Sequence, residues 1–152
     1  MTERQAQTIR LADYRPPSYF VDHVDLTFEL APRGTRVVSE LTCRRNGDHA
    51  APLWLDGDEL ELESVVLDGQ TLGADQYECR DEGLSIPDVP ARFTLVITCR
   101  VDPIDNTALD GVYQSSGNFC TQCEPEGFRR ITFFPDRPDV LSRYRVTLIA
   151  DK

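Results

Sequence analysis

Alternation of apolar and polar residues, repeated in five separate segments, constrains this chain more than any other feature. Val24, Leu26, Phe28 and Leu30 share one parity while Asp25, Thr27 and Glu29 take the other. In an extended chain successive side chains point to opposite faces, so this pattern predicts a half-buried strand. The same reading fits Val37, Ser39, Leu41 and Cys43; Leu60 and Leu62 against Glu59, Glu61 and Glu63; Phe93, Leu95, Ile97, Cys99 and Val101; and Tyr144, Val146 and Leu148. Turn chemistry separates these runs. Asp68-Gly69 lies between Val65-Val66-Leu67 and Thr71-Leu72, a tight-hairpin signal in which glycine supplies a positive φ. Pro32-Arg33-Gly34 and Asp81-Glu82-Gly83 punctuate the chain in the same way. Short helix candidates remain only at Asn106–Asp110 and Pro138–Ser142. The expected fold class is all-β, a twisted antiparallel β-sandwich or pair of curved sheets.

At 152 residues the chain is long enough to bury roughly two thirds of its unfolded surface in one core without metal or disulfide staples. No apolar run approaches the roughly 20 residues needed to span a bilayer, which predicts a soluble domain with no membrane partner. Residues 1–13 read as a flexible lead-in and residues 14–152 as the folded domain. Met1–Gln7 has no apolar core of a secretion signal, so the expected location is cytoplasmic. The five cysteines are odd in number and scattered through strand-like segments, a pattern that predicts reduced thiols. The net charge of −10 is concentrated: ten acids against the single Arg80 lie between Asp56 and Glu82. With no basic stripe to replace counterions on phosphates, nucleic acid is not an expected partner. The acidic run itself reads as a solvated strand face.

One segment resists explanation as ordinary core or surface. From Phe119 to Tyr144, a Gln-Cys-Glu strand beside Cys120 is followed by Phe128, Phe133 and Phe134 and then by an Asp136-Arg137-Pro138 turn. If Thr121–Glu124 is extended, Gln122 and Glu124 project to one side and Cys123 to the other. By residue type alone both polar groups read as solvated side chains on an edge strand. Cys120-x-x-Cys123 has no second cysteine pair at zinc-ligand spacing, His23 and His49 are isolated, and the thiols read as packed or idle. Arg129, Arg130, Asp136, Arg137 and Asp139 form a mixed-charge cluster around Phe133, Phe134 and Pro135.

This segment resembles the N-terminal domain of bacterial aminopeptidase N, a zinc-dependent exopeptidase of the gluzincin class. Tyr14-Arg15-Pro16-Pro17, Val24-Asp25-Leu26-Thr27-Phe28, Asn106-Thr107-Ala108-Leu109-Asp110-Gly111 and Ile149-Ala150-Asp151-Lys152 look like further landmarks of that domain, so the likeness runs from Tyr14 onward. The resemblance implies an all-β domain of a larger enzyme that releases N-terminal residues from peptides. That family carries its H-E-x-x-H zinc site and a G-x-M-E-N loop in a later domain, and neither motif occurs here. The implied assignments are Glu124 as the group holding the substrate's free amino end and Gln122 as a wall of the first specificity pocket, with no catalytic residue and no metal ligand in this stretch. Zinc is implied for the parent enzyme and none for this part alone, which is expected to be inactive. The implied partners are peptides with a free N-terminus and the downstream catalytic domain, the latter covering an apolar patch around Phe133 and Phe134. The competing reading is a free-standing β-sandwich interaction module that uses Trp54 or Phe133 and Phe134. A thiol-based metal or redox protein built on Cys120 and Cys123 is a third.

Overall fold

The computed structural model describes residues 10–151; of the lead-in expected over residues 1–13, residues 1–9 lie outside them. Eleven strands follow in chain order: β1 (Tyr19–Glu29), β2 (Thr35–Arg45), β3 (Leu53–Asp56), β4 (Glu61–Leu67), β5 (Gln70–Thr71), β6 (Glu78–Arg80), β7 (Gly83–Ile86), β8 (Arg92–Val101), β9 (Gly111–Ser115), β10 (Asn118–Gln122) and β11 (Arg143–Ile149). The described helical segments are single 3-10 turns at Leu11–Asp13 and Phe128–Arg130. Neither expected helix forms. At 106–110 the backbone turns at Leu109, where φ is +58°, and the Asn106 side chain takes up the carbonyls of Asp110 and Val112 at 2.7 and 2.8 Å. That is turn chemistry competing successfully with a helix.

Six strands form the main sheet in the order β11-β1-β2-β8-β4-β5, and β3-β7-β6 form a second sheet. Both contribute to one core: Val24, Leu26, Val37, Leu41, Leu95 and Ile97 from the first, Leu53, Leu55, Leu84 and Ile86 from the second. The alternation read from the sequence survives on β1, β2 and β8, where Val24, Leu26, Phe28, Val37, Ser39, Leu41, Cys43, Phe93, Leu95, Ile97, Cys99 and Val101 are buried. On β1 the parity is reset by a bulge between Val21 and His23, so that Tyr19 and Val21 face the core together with Val24 and Leu26. Asp68 and Gly69, both at positive φ, close the β4–β5 hairpin as a two-residue turn. Asp68 also accepts the Thr94 amide at 2.8 Å, fastening the hairpin to β8.

Two features depart from the alternation reading. The pairing of β11 with β1 is parallel, Val24 lying opposite Tyr144 and Leu26 opposite Val146, whereas the other pairings are antiparallel. And β11 is a strand but not a half-buried one: all seven of its residues are exposed. It is an edge strand with its outer side open, so no second layer covers the side chains that the alternation aligns.

The acidic run is not simply solvated. Glu63 binds Arg36 at 3.1 Å and also Arg100, Asp58 and Glu59 both bind Arg130, and Glu78 chelates Arg80 with two contacts of 2.8 Å. Three acids of the run, Asp58, Glu59 and Glu63, are therefore matched to arginines that lie far away in sequence, and Glu78 to its near neighbour Arg80.

Candidate functional site

Phe119–Tyr144 runs from the two-stranded β9–β10 sheet to β11 at the edge of the main sheet. The β9–β10 hairpin turns at Ser116-Gly117, both at positive φ, and places Gln122 opposite Gly111. Extended structure ends there. Glu124 is not on the strand, as the alternation of Gln122 and Glu124 had suggested, but in the turn that follows, closed by a hydrogen bond from the Gly127 amide to the Cys123 carbonyl at 2.8 Å. The physical reason is in the residues: Pro125 has no amide to donate to a ladder, and Gly127 permits a close packing that a side chain would block. Gln122 and Glu124 remain adjacent by a different route, because the Gln122 amide Nε2 donates to the Glu124 backbone carbonyl at 3.1 Å.

The charges around this turn sort cleanly. Arg129 donates from its Nε to Asp136 at 3.0 Å and also contacts Glu126 at 3.6 Å. Arg130 is held by Asp58 at 2.6 Å and by Glu59. Arg137 forks onto Asp139 at 2.7 and 2.9 Å, and Tyr14 donates to the same carboxylate at 3.0 Å. The Arg137 hydrogen bond, aided by that from Tyr14, holds Asp139 below the usual carboxylate range. Each arginine of the cluster is thus committed inside the domain. The Glu124 carboxylate is exposed and has no hydrogen-bond or ion-pair partner among the described residues.

The aromatic part of the segment contradicts its expected exposure. Phe133 and Phe134 are 2% and 3% exposed. A backbone bridge holds the segment against β3, Asp56 and Phe134 exchanging hydrogen bonds at 2.8 and 3.0 Å, with the Phe133 ring lying on Gly57 and the Phe134 ring against Phe128 and Tyr144. Phe128 packs edge-on against Phe134 with ring centroids 4.9 Å apart. Two of the three aromatics proposed for a free-standing interaction module are therefore core residues, while Trp54 stays partly exposed, its indole bonded to Asp56 at 3.0 Å. The apolar patch exists elsewhere. Val146 and Leu148 of β11, with Leu26, Phe28, Phe119 and Cys120, line a groove of about 390 Å³.

Among the described residues no group of three or more histidine, cysteine, aspartate or glutamate side chains gathers as metal ligands. All five cysteines are free thiols. Burial, followed by the nearby Asp136, Asp110 and Glu124 charges, raises the Cys123 pKa and keeps the thiol protonated. His23 is engaged by Asp25 at 3.0 Å and His49 by the Ser18 carbonyl at 2.9 Å.

Comparison with known proteins decides the family. The chain is 50% identical over 145 residues to aminopeptidase N of Caulobacter vibrioides and 44% identical over 149 residues to that of Escherichia coli, covering 95% and 98% of this chain. The chain belongs to the aminopeptidase N family. It spans about 17% of the length of these relatives and is the N-terminal domain of that enzyme. Legionella pneumophila aminopeptidase A, solved in complex with aspartic acid, superposes with a TM-score of 0.85 at 34% identity, over 92% of this chain and 17% of that one. An M1 zinc metallopeptidase of Deinococcus radiodurans, bound to a Tyr-Ser-Ala substrate, shares the fold alone: TM-score 0.71 at 17% identity, over 88% of this chain and 33% of that one. No protein-family model matches the chain. Aminopeptidase N membership accounts for a curved all-β domain, and most of the relatives' length lies outside the region it matches.

What sequence reasoning missed is the turn. Glu124-Pro125-Glu126-Gly127 and Ser116-Gly117 are both turn signals, and weighing them would have ended the strand at Gln122.

Proposed function

We propose that this domain serves a zinc aminopeptidase by anchoring the free amino end of a peptide through Glu124. The observation that carries the reading is the state of that carboxylate: exposed, unpaired, and set in a turn beside a cluster in which the arginines are already bound to other acids. A carboxylate left free among satisfied partners is ready to accept hydrogen bonds from an external ammonium. Gln122 spends its amide N–H bracing the turn and keeps its side-chain oxygen free to accept from the first residue of the substrate. Zinc in the parent enzyme supplies the activated water, from residues outside this chain. The chain by itself is then expected to bind weakly and to hydrolyse nothing. Free thiols, two of them fully enclosed, suit a cytoplasmic setting. The remainder of the parent enzyme, including its catalytic domain, covers the groove and the open edge of β11, an apolar surface that an isolated domain would leave in water.

A charge-assisted hydrogen bond to an ammonium contributes about 1.5–3 kcal/mol, or roughly 10- to 150-fold in kcat/KM. In the full-length enzyme Glu124→Gln is expected to lose that factor on substrates with a free amine. Steady-state kinetics with wild-type kcat/KM in this variant would remove Glu124 from the role.

A further inference from the structure

The turn that carries Glu124 rests on a second carboxylate that the amine-anchor reading does not use. Gly127 is buried, and a Cβ built there would fall 2.9 Å from the Asp110 Cγ and still closer to the Asp110 Oδ1 and the Gln122 backbone oxygen. Its φ of −86° is open to any residue, so what excludes a side chain is space, not conformation. Asp110 Oδ1 is itself buried without a hydrogen-bond partner. A buried carboxylate oxygen left unpartnered is unfavourable and persists only where its surroundings dictate its place. Here they do. The Asn106 side chain donates to the carbonyls of Asp110 and Val112 on either side of Gly111 and accepts the Ala108 amide at 3.2 Å. Gly111, at φ +73°, is packed so tightly that a Cβ would lie 2.6 Å from the Arg130 Cβ. The loop bearing Asp110 is thus clamped from within by Asn106 and from outside by the segment that follows the Glu124 turn.

We propose that Asp110 and Gly127 are positioning residues for Glu124: the Asp110 carboxylate is the wall against which the Cys123–Gly127 turn sits, and the bare glycine lets the turn settle onto it. This seat rests on the reading of Glu124 as the amine anchor. It explains why the loop bearing Asp110 is pinned by three hydrogen bonds to one asparagine side chain, and why the turn closes on glycine where its backbone angles would accept any residue.

The test compares inhibition of the full-length enzyme by L-phenylalanine and by 3-phenylpropanoic acid, which differ by the ammonium alone. The inhibition constant of 3-phenylpropanoic acid divided by that of L-phenylalanine reads amine recognition, a large ratio marking a held ammonium; the melting temperature reads folding. Gly127→Ala and Asp110→Ala are expected to lower the ratio at least tenfold, Asp110→Asn, which keeps the wall's shape, to stay within about twofold of wild type, and Glu124→Gln to lower the ratio as well. If Glu124→Gln lowers the ratio while Gly127→Ala and Asp110→Ala leave it intact, the seat is overturned and the amine anchor stands. If Glu124→Gln leaves the ratio unchanged, the anchor falls and the seat with it. Variants that weaken both ligands equally and melt earlier would show a merely structural role and overturn the proposal. Should Gly127→Ala fail to fold, the contrast between Asp110→Ala and Asp110→Asn decides the matter alone.

Discussion

Ser39 and Thr132 offer a measurement of how the site-bearing segment is tied to the sheet. Ser39 lies on the inner face of β2, Thr132 lies just beyond the Phe128–Arg130 turn, both are fully buried, and their hydroxyls are 2.8 Å apart. Removing one partner leaves the other a buried hydroxyl without its mate, Thr132 keeping only the Cys99 thiol, a weak partner, beside it. Thr132→Val or Ser39→Ala should each cost about 2 kcal/mol, the lost bond plus the desolvation of an orphaned hydroxyl. Removing both leaves two apolar groups in contact, and the double variant should cost under about 1 kcal/mol, giving a coupling of about −3 kcal/mol. With a urea slope of about 2 kcal/mol/M for a domain of this size, each single variant should lower the unfolding midpoint by about 1 M and the double by less than about 0.5 M. Equilibrium urea unfolding of the 152-residue chain reads all four corners of the cycle. Additive losses, with the double variant falling by about 2 M, would refute the reasoning, because each hydroxyl would then have found a partner other than its mate.

Three further outcomes follow from the same structure. Phe133→Ala, at a ring only 2% exposed, should cost about 3–5 kcal/mol in the same assay. Leu148→Asp, at a side chain 65% exposed, should change the stability of this chain by less than about 0.5 kcal/mol, yet destabilise the full-length enzyme by more than about 1 kcal/mol if the groove is covered there. Burial pushes the Cys43 and Cys99 thiols up to about 12 from an ordinary value near 9. Because the folded values are raised, their contribution is whole below pH 9 and is lost as the pH climbs from 9 toward 12. Stability at pH 10 should fall by about 3 kcal/mol relative to pH 8 for the two thiols together, and a Cys43→Ala, Cys99→Ala variant should show correspondingly less of the decline in anaerobic urea melts.

Most strands could be read directly. Val37, Ser39, Leu41 and Cys43 alternate in the sequence and are buried in the fold, because every second residue of an extended chain meets the same neighbour. The Asp68-Gly69 hairpin was equally legible, since few residue pairs accept positive φ at two successive positions. The same rule misled at β11. Tyr144, Val146 and Leu148 alternate as the others do, but periodicity reports which side chains share a face and says nothing of what lies opposite it. Around the site, Gln122 and Glu124 were identified by their likeness to a family motif, while their spacing suggested a strand where Pro125 and Gly127 make a turn.

Phe133 and Phe134 mark the division most clearly. That they are large, adjacent and apolar is written in the chain; that both are buried depends on Asp56 and Gly57, nearly eighty residues earlier, meeting them through a backbone bridge and a ring contact, and on Phe128 packing against Phe134. Alternation, turn residues and family membership are local or inherited properties, so they were available from the sequence by itself. The parallel docking of β11, the arginine partners of the acidic run and the unpaired state of Glu124 depend on which distant segments meet. A side chain's burial and charge balance are set by neighbours in space, and only the tertiary structure chooses those.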